Sequence, residues 1–429
     1  MGEHRLSRRA ALGLLGGGAL AQRTKLPPPR PPVTSDRFLE DLSRRAFLYF
    51  WERASPDTGL VLDRALNSDA HDARNVSSSA ATGFGLTALC IAASRGWMER
   101  DALRRRALAA LRFYAQDSEQ VHGWFYHFVD ASTGKRVWNC ELSTIDTALL
   151  VAGVLTARQY FDDDEVRALA DSIYRRLDWQ WFLNGDPHFL SMGWKPESGF
   201  LSARWNTHCE LGILYLLGIG APVNPLTPDC WYAWSRPQIT YAGHTYISGA
   251  PPLFTHQYSQ AWIDFREKRE QADGRTDWFQ NSVEATLAHR EFCIDLGLRE
   301  FPGCYDESLW GITASDSAHG YVAWGGPPRD GPIDGTVVPC AAGGSLMFAR
   351  NLCLQTLTAM KQRFGSRVWN RYGFVDAFHP TNGWTNPDVI GIDLGVTLLA
   401  AENARSGAVW KWFMSNPNVA NAMRLAQIA

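Results

Sequence analysis

Blocks of apolar residues at helical spacing recur along almost the whole chain, at roughly 35–53, 77–95, 99–116, 143–160, 164–183, 207–218, 256–272, 277–297, 341–363 and 391–405. Only a mainly helical fold accommodates that repetition. The blocks are of two kinds. Arg100 to Tyr114 is amphipathic: Leu103, Ala107, Ala110, Leu111 and Tyr114 share one face, while Arg104, Arg105, Arg106 and Arg112 lie mostly off it. Ala80 to Ala93 and Ala148 to Ala157 are apolar nearly all round. A helix without a polar face has to be enclosed by others, so these are read as inner helices and the amphipathic ones as outer. Inner and outer helices alternating as antiparallel hairpins make a double-layered ring. The predicted fold is therefore all-α, an (α/α)6 toroid of about twelve helices.

The interruptions are as informative as the helices. Gly123 to Val129 alternates, turns at Ser132-Thr133-Gly134 and returns through Arg136-Val137-Trp138, which predicts a small β-hairpin. The stretches 185–206, 220–255 and 302–340 are rich in Gly, Pro and aromatics and too long for turns. In a ring of helices such loops gather at one end and wall a cleft.

With 429 residues, 45% of them hydrophobic, and no second composition class, the chain can bury one large core, and residues 35–429 are read as a single catalytic domain. Before it, Ser7-Arg8-Arg9, the apolar run Ala10 to Leu15 and the small-x-small site Ala19-Leu20-Ala21 make residues 1–21 a twin-arginine-type signal, which directs a folded protein to the periplasm or beyond. That run is too short for a stable membrane anchor. Residues 22–34, with Pro27 to Pro32, form a stiff linker. A net charge of −2 gives no basic stripe for nucleic acid, so the expected partner is a near-neutral small molecule or polymer met by a monomer. The eight cysteines are far apart with no C-x-x-C. They are expected to be mostly buried hydrophobes, with room for one or two disulfides.

No nucleophile-elbow serine, zincin, Walker or dinucleotide motif is present, and no metal or cofactor is called for. What remains is a set of acids at the mouths of apolar helices, where charge is costly unless used. Asp146 follows Ser143 and Thr144, either of which can cap its helix, and Glu141 lies just before. Glu210 heads an almost wholly apolar helix behind Asn206 and Thr207. A carboxyl in such surroundings has a raised pKa, as a general acid needs. Asp393 stands between Gly391 and Gly395 before another apolar helix. The bland alternative for Asp146 and Glu210 is a charge complementing a helix dipole. His256, Gln257, Tyr258, Trp262, Asp264 and Arg266 make a segment dense in polar and aromatic groups, suited to a hydroxyl-rich ligand; Asp264 and Arg266 can equally be a structural ion pair. The excess of Trp, 18 residues, suits stacking on sugar faces, with Trp138, Trp205 and Trp384 as candidates.

Taken together, Ser143-Thr-Ile-Asp146-Thr-Ala-Leu-Leu, Trp205 through Glu210, Phe254-Thr-His256-Gln257-Tyr258 through Arg266, Gly391-Ile-Asp393 and Glu402-Asn403-Ala-Arg405-Ser-Gly407 resemble the glycoamylase-like family, which includes the endo-β-1,2-glucanases of glycoside hydrolase family 144. The likeness runs over about residues 36–416. It implies an (α/α)6 barrel and inverting hydrolysis of β-1,2-glucan, with Glu210 as the acid, Asp393 as base or proton relay, and Asp146 as a further acid needed in the cleft. The chain departs from the family pattern at Asn206-Thr207-His208-Cys209 and at Gln260. Acid–base carboxyls without a cofactor are the usual means of glycosidic hydrolysis. The competing readings are a retaining β-glucan transglycosylase and a non-catalytic carbohydrate-binding protein.

Overall fold

The computed structural model describes residues 33–161 and 163–429; the signal and nearly all of the linker lie outside them. The first helix begins at Val33, two residues before the expected domain start.

Six helices are buried along almost their whole length: Ser79–Ser94, Thr144–Phe161, Gly212–Ile219, Tyr258–Trp262, Pro339–Gly344 and Gly391–Ser406. They touch one another in that order, the fourth and fifth through the short turn Leu253–His256, and the sixth returns to the first. That closes the inner ring. Outside it run the amphipathic helices, among them Val33–Glu52, Arg100–Arg112, Asp164–Arg175, Trp278–Arg299 and Arg350–Phe364. The expected α/α toroid is the observed fold.

The closest approach in the inner ring is between its first two helices. A Cβ on Gly153 would lie 2.0 Å from the Gly83 carbonyl oxygen, and one on Gly83 would lie 2.2 Å from Leu149 O. Only glycine lets the two backbones meet. Gly153→Ala is expected to cost roughly 1–3 kcal/mol or more by overpacking, read as a lower denaturation midpoint; an unchanged midpoint would show that the ring can relax there.

Some boundaries differ from expectation. The block 256–272 yields a helix only as far as Trp262. Beyond it the Asp264 carboxylate accepts from the Arg266 backbone N–H, a local turn that competes with helix continuation. The block 341–363 splits around Ser345–Met347, where Gly344 packs against Gln257. Two terminal helices, Ala408–Met414 and Pro417–Leu425, complete the outer layer. The expected hairpin keeps its turn, with Gly134 N–H donating to Asp130 O and Val129 bridging Arg136, but strand Phe128–Asp130 pairs mainly with Val76–Ser78. All eight cysteines are free thiols and seven are buried. No helix among the described residues is long and apolar enough to cross a membrane.

Ring closure has a second seam. Strand Arg64–Leu66 pairs antiparallel with Asp388–Ile390, and Gly391 N–H donates to Asp63 O at 2.7 Å. The loop before the first inner helix is thereby stitched to the loop before the last.

Candidate active site

At the N-terminal ends of the inner helices lies a cavity of about 380 Å³. Asp63 and Arg64 reach it from the loop before the first inner helix, and His127 and Phe128 from the loop before the second. Asp146 comes from the first turn of that second helix, Glu210 from the turn before the third, Tyr258 from the start of the fourth, and Ile390 and Ile392 from the head of the sixth. Tyr321, on the hairpin Ser315–Val322, completes the wall. Of the three long loops expected to wall a cleft, 302–340 supplies Tyr321 and 220–255 supplies Phe254, while 185–206 supplies no lining residue. Strand Gly193–Lys195 in that third loop is instead paired with Leu142–Ser143.

Glu210 does not head its helix as expected. The helix starts at Gly212, and the missing cap is provided from a neighbour: Ser259 Oγ accepts from Ile213 N–H at 2.9 Å and donates to Glu210 O at 2.7 Å. That fixes the Glu210 backbone and leaves its carboxyl on the cavity wall. Burial raises the pKa of this carboxyl to about 7, and the negative charge of Asp146 pushes it the same way. Asp146 is held by Ser143, whose Oγ accepts from the Asp146 N–H and donates to its carboxylate. His127 stands between two acids, Nδ1 3.1 Å from Glu141 and Nε2 3.4 Å from Asp146. Burial opposes charge on this imidazole, but the two carboxylates outweigh it and hold it above the usual histidine range. The hydrogen bond from His127 in turn holds Glu141 below the usual carboxylate range.

Asp393 does not line this cavity. It is 8% exposed and lines a separate void of about 20 Å³ with Asp376 and Cys340. Burial raises its pKa, and the nearby charges of Asp63 and Asp316 add to the effect. Tyr258, buried between the two regions, is within electrostatic reach of both Asp393 and Glu210, and burial first and then those charges hold its phenol protonated. The expectation that Glu210 and Asp393 open on one groove is thus corrected: Glu210 lines the cavity, and Asp393 lines the separate void.

Of the other expected residues, Glu141 and Asp146 come together around His127, and Tyr258 lines the cavity. Trp138 is 66% exposed and meets Phe128 edge-on at 5.1 Å, which puts it on the rim. The rest are turned to structure. Trp205 is buried, and its Nε1 donates to Thr144 Oγ1 under the helix that carries Asp146. Gln257 is fully buried and donates to Ala341 O and Ser345 Oγ. His256 is buried beside Ser248, and Trp262 donates to Thr87 across the inner ring. Asp264 and Arg266, at the far end of the Tyr258 helix, form a forked ion pair with the guanidinium over Trp410. Trp384 is half-buried against an apolar cluster that includes Val337, Phe374 and Phe378. The polar density around 256–266 therefore locks inner helices together instead of facing a ligand.

Sequence reasoning missed Asp63, Arg64, Asp316, Tyr321 and Asp376. Arg64 donates to Asp63 at 3.0 Å and to Asp316 at 2.7 Å, and Asp316 N–H donates to Asp376. These residues lie in short strands and loops of no helical pattern, and their acids are single positions far apart in the chain, so no sequence signal groups them. The Glu402 and Arg405 motif is structural: Arg95 and Arg405 neutralise buried Glu402.

A model of the Glycoamylase family matches residues 202–417. An exo β-1,2-glucooligosaccharide sophorohydrolase acting at the non-reducing end, from Parabacteroides distasonis, is 28% identical over 92% of this chain. The chain spans 58% of that relative's own length. The structure of the endo-β-1,2-glucanase from Chitinophaga pinensis superposes with a TM-score of 0.84 at 26% identity, over 92% of this chain and 98% of that one. A β-1,2-glucanase from Parabacteroides distasonis superposes with a TM-score of 0.81 at 27% identity, over 92% of this chain and 60% of that one.

Proposed function

Because the chain belongs to the Glycoamylase family, we propose that it is a glycoside hydrolase acting on a β-1,2-linked glucan. The observation that carries the reading is Glu210, a carboxyl on the cavity wall whose burial raises its pKa to about 7. Such a group is still substantially protonated near neutral pH and can donate to a leaving glycosidic oxygen. Support for the linkage comes from similarity to a sophorohydrolase and to two β-1,2-glucanases.

In the proposed mechanism the sugars occupy the 380 Å³ cavity, Glu210 protonates the bridging oxygen, and a water on the opposite face of the sugar ring attacks, inverting the anomeric centre. Its proton passes to Asp393, which does not line the cavity and acts as a relay through the Tyr258 and Tyr321 side of the site. Asp146, His127 and Glu141 hold the Glu210 side of the cavity negative and hydrogen-bonded, which suits recognition of sugar hydroxyls.

The deciding experiment is to incubate purified protein with linear β-1,2-, β-1,3-, β-1,4- and β-1,6-glucans and size the products. Release of reducing ends from the β-1,2-glucan alone is expected. Conservation of reducing ends with altered chain lengths would mean transfer, and binding without turnover would mean a lectin-like protein; either outcome overturns the reading.

Trp138 gives a second, smaller test. An exposed indole at the rim stacks on a sugar ring beyond the cleavage point, so Trp138→Ala is expected to raise KM by up to about tenfold, the worth of one aromatic contact, with kcat little changed. An unaltered KM on long chains would remove Trp138 from the binding surface.

A further inference from the structure

On that proposed reading, Asp393 has to stay poised as a proton acceptor in a place unfavourable to charge. Asp393 and Asp376 are 8% and 3% exposed and face the same void of about 20 Å³, room for about one water. Asp376 Oδ2 is fully engaged, accepting the Asp316 backbone N–H and Asn386 Nδ2–H, both at 2.9 Å. Asp376 Oδ1 is buried, and no N–H or hydroxyl donor reaches it. The Asp393 carboxyl lines the same void, and each carboxyl bears on the other's acidity as a hydrogen-bonding neighbour. Two ionised carboxylates offer only acceptors, so a direct contact across the void needs a proton on one of the two.

Which carboxyl owns the proton follows from the surroundings. Asp393 stands in the first turn of helix Gly391–Ser406, where the backbone dipole favours a negative charge, and the Cys340 thiol beside it in the void lowers its pKa further. Asp376 has no helix terminus of its own and is the deeper of the two. We infer that Asp376 is held as the neutral acid and donates its Oδ1 proton to Asp393, a positioning residue that keeps Asp393 ionised and fixes which of its lone pairs is free to take a proton. The other charged and titratable groups facing the pair are Asp63, Asp316, Cys340, Tyr258 and Tyr321, with Arg64 bound to Asp63 and Asp316.

The arrangement singles out one conservative substitution. In Asp376→Asn the side-chain oxygen can keep both N–H bonds while Nδ2 donates to Asp393 as the acid did. Asp376→Ala removes that donor. Asp376→Asn is expected to keep kcat within about tenfold of the parent, and Asp376→Ala to lose about 10²-fold or more at unchanged KM, the range of losing one acid–base partner. A readout independent of turnover accompanies this: infrared difference spectra in a Glu210→Gln background, where Glu210 contributes nothing. A protonated-carboxyl band present at neutral pH is expected there and absent once Asp376→Asn is added. Asp376→Asn as inactive as Asp376→Ala, or a band that survives the substitution, overturns the inference. If the parent cleaves no glucan, the proposed function fails, and the infrared comparison still decides where the proton resides.

Discussion

Glu210→Gln is expected to lower turnover on β-1,2-glucan by about 10²–10⁴-fold with little change in KM, the loss typical of removing a general acid. Glutamine keeps the size and the hydrogen-bonding oxygen but has no proton to give. The same carboxyl sets an alkaline limb: because burial raises its pKa to about 7, kcat/KM should fall as pH rises through that value, and the limb should vanish from the residual activity of the variant. Stability supplies an independent check. The folded-state pKa lies above the ordinary 4.5, so between these values the folded chain binds more protons than the unfolded one. Its stability therefore falls as pH rises through that window. Glutamine carries no such penalty, so the variant should melt with the parent below the window and above it at higher pH. Parent-like activity, or no divergence in melting, would reject Glu210 as a buried acid.

The second large effect is expected of Asp393→Asn. If Asp393 receives the proton from water, amide substitution should again cost about 10²–10⁴-fold in kcat, although the residue does not line the cavity. The competing site for this role is Asp63, which does line it and interacts electrostatically with Asp393. Asp63 is committed to Arg64 at 3.0 Å, so Asp63→Asn should disturb the Arg64–Asp316 brace and cost less. A ranking in the opposite order, with Asp63→Asn the more damaging, would transfer the base to Asp63.

The ring was legible because the residues that build it repeat. Helices with no polar face, such as Ser79–Ser94, announce their burial in composition alone, and Glu210 and Asp146 were found because each stands near the mouth of such a helix, whereas Tyr258 was found in the polar and aromatic density of its segment. Asp63, Asp316 and Asp376 were not, since they belong to loops whose meaning depends on what the fold brings opposite them. The segment His256–Arg266 misled for a related reason. Side chains able to bond sugar hydroxyls are equally able to bond the backbone of a neighbouring helix, and Gln257 does so through Ala341 O. Density of polar groups records that something is recognised, and not whether it is a ligand or the protein itself.

The pairing of Arg64–Leu66 with Asp388–Ile390 joins segments from opposite ends of the described chain. Such distant partners raise contact order, and chains that depend on them fold slowly. On a ribosome, Glu210 and Asp146 would emerge long before their counterpart, with nothing to act in concert with. Catalytic competence should therefore arrive last and all at once, and a nascent chain stalled before Gly391 should be inert however many of its helices have already formed.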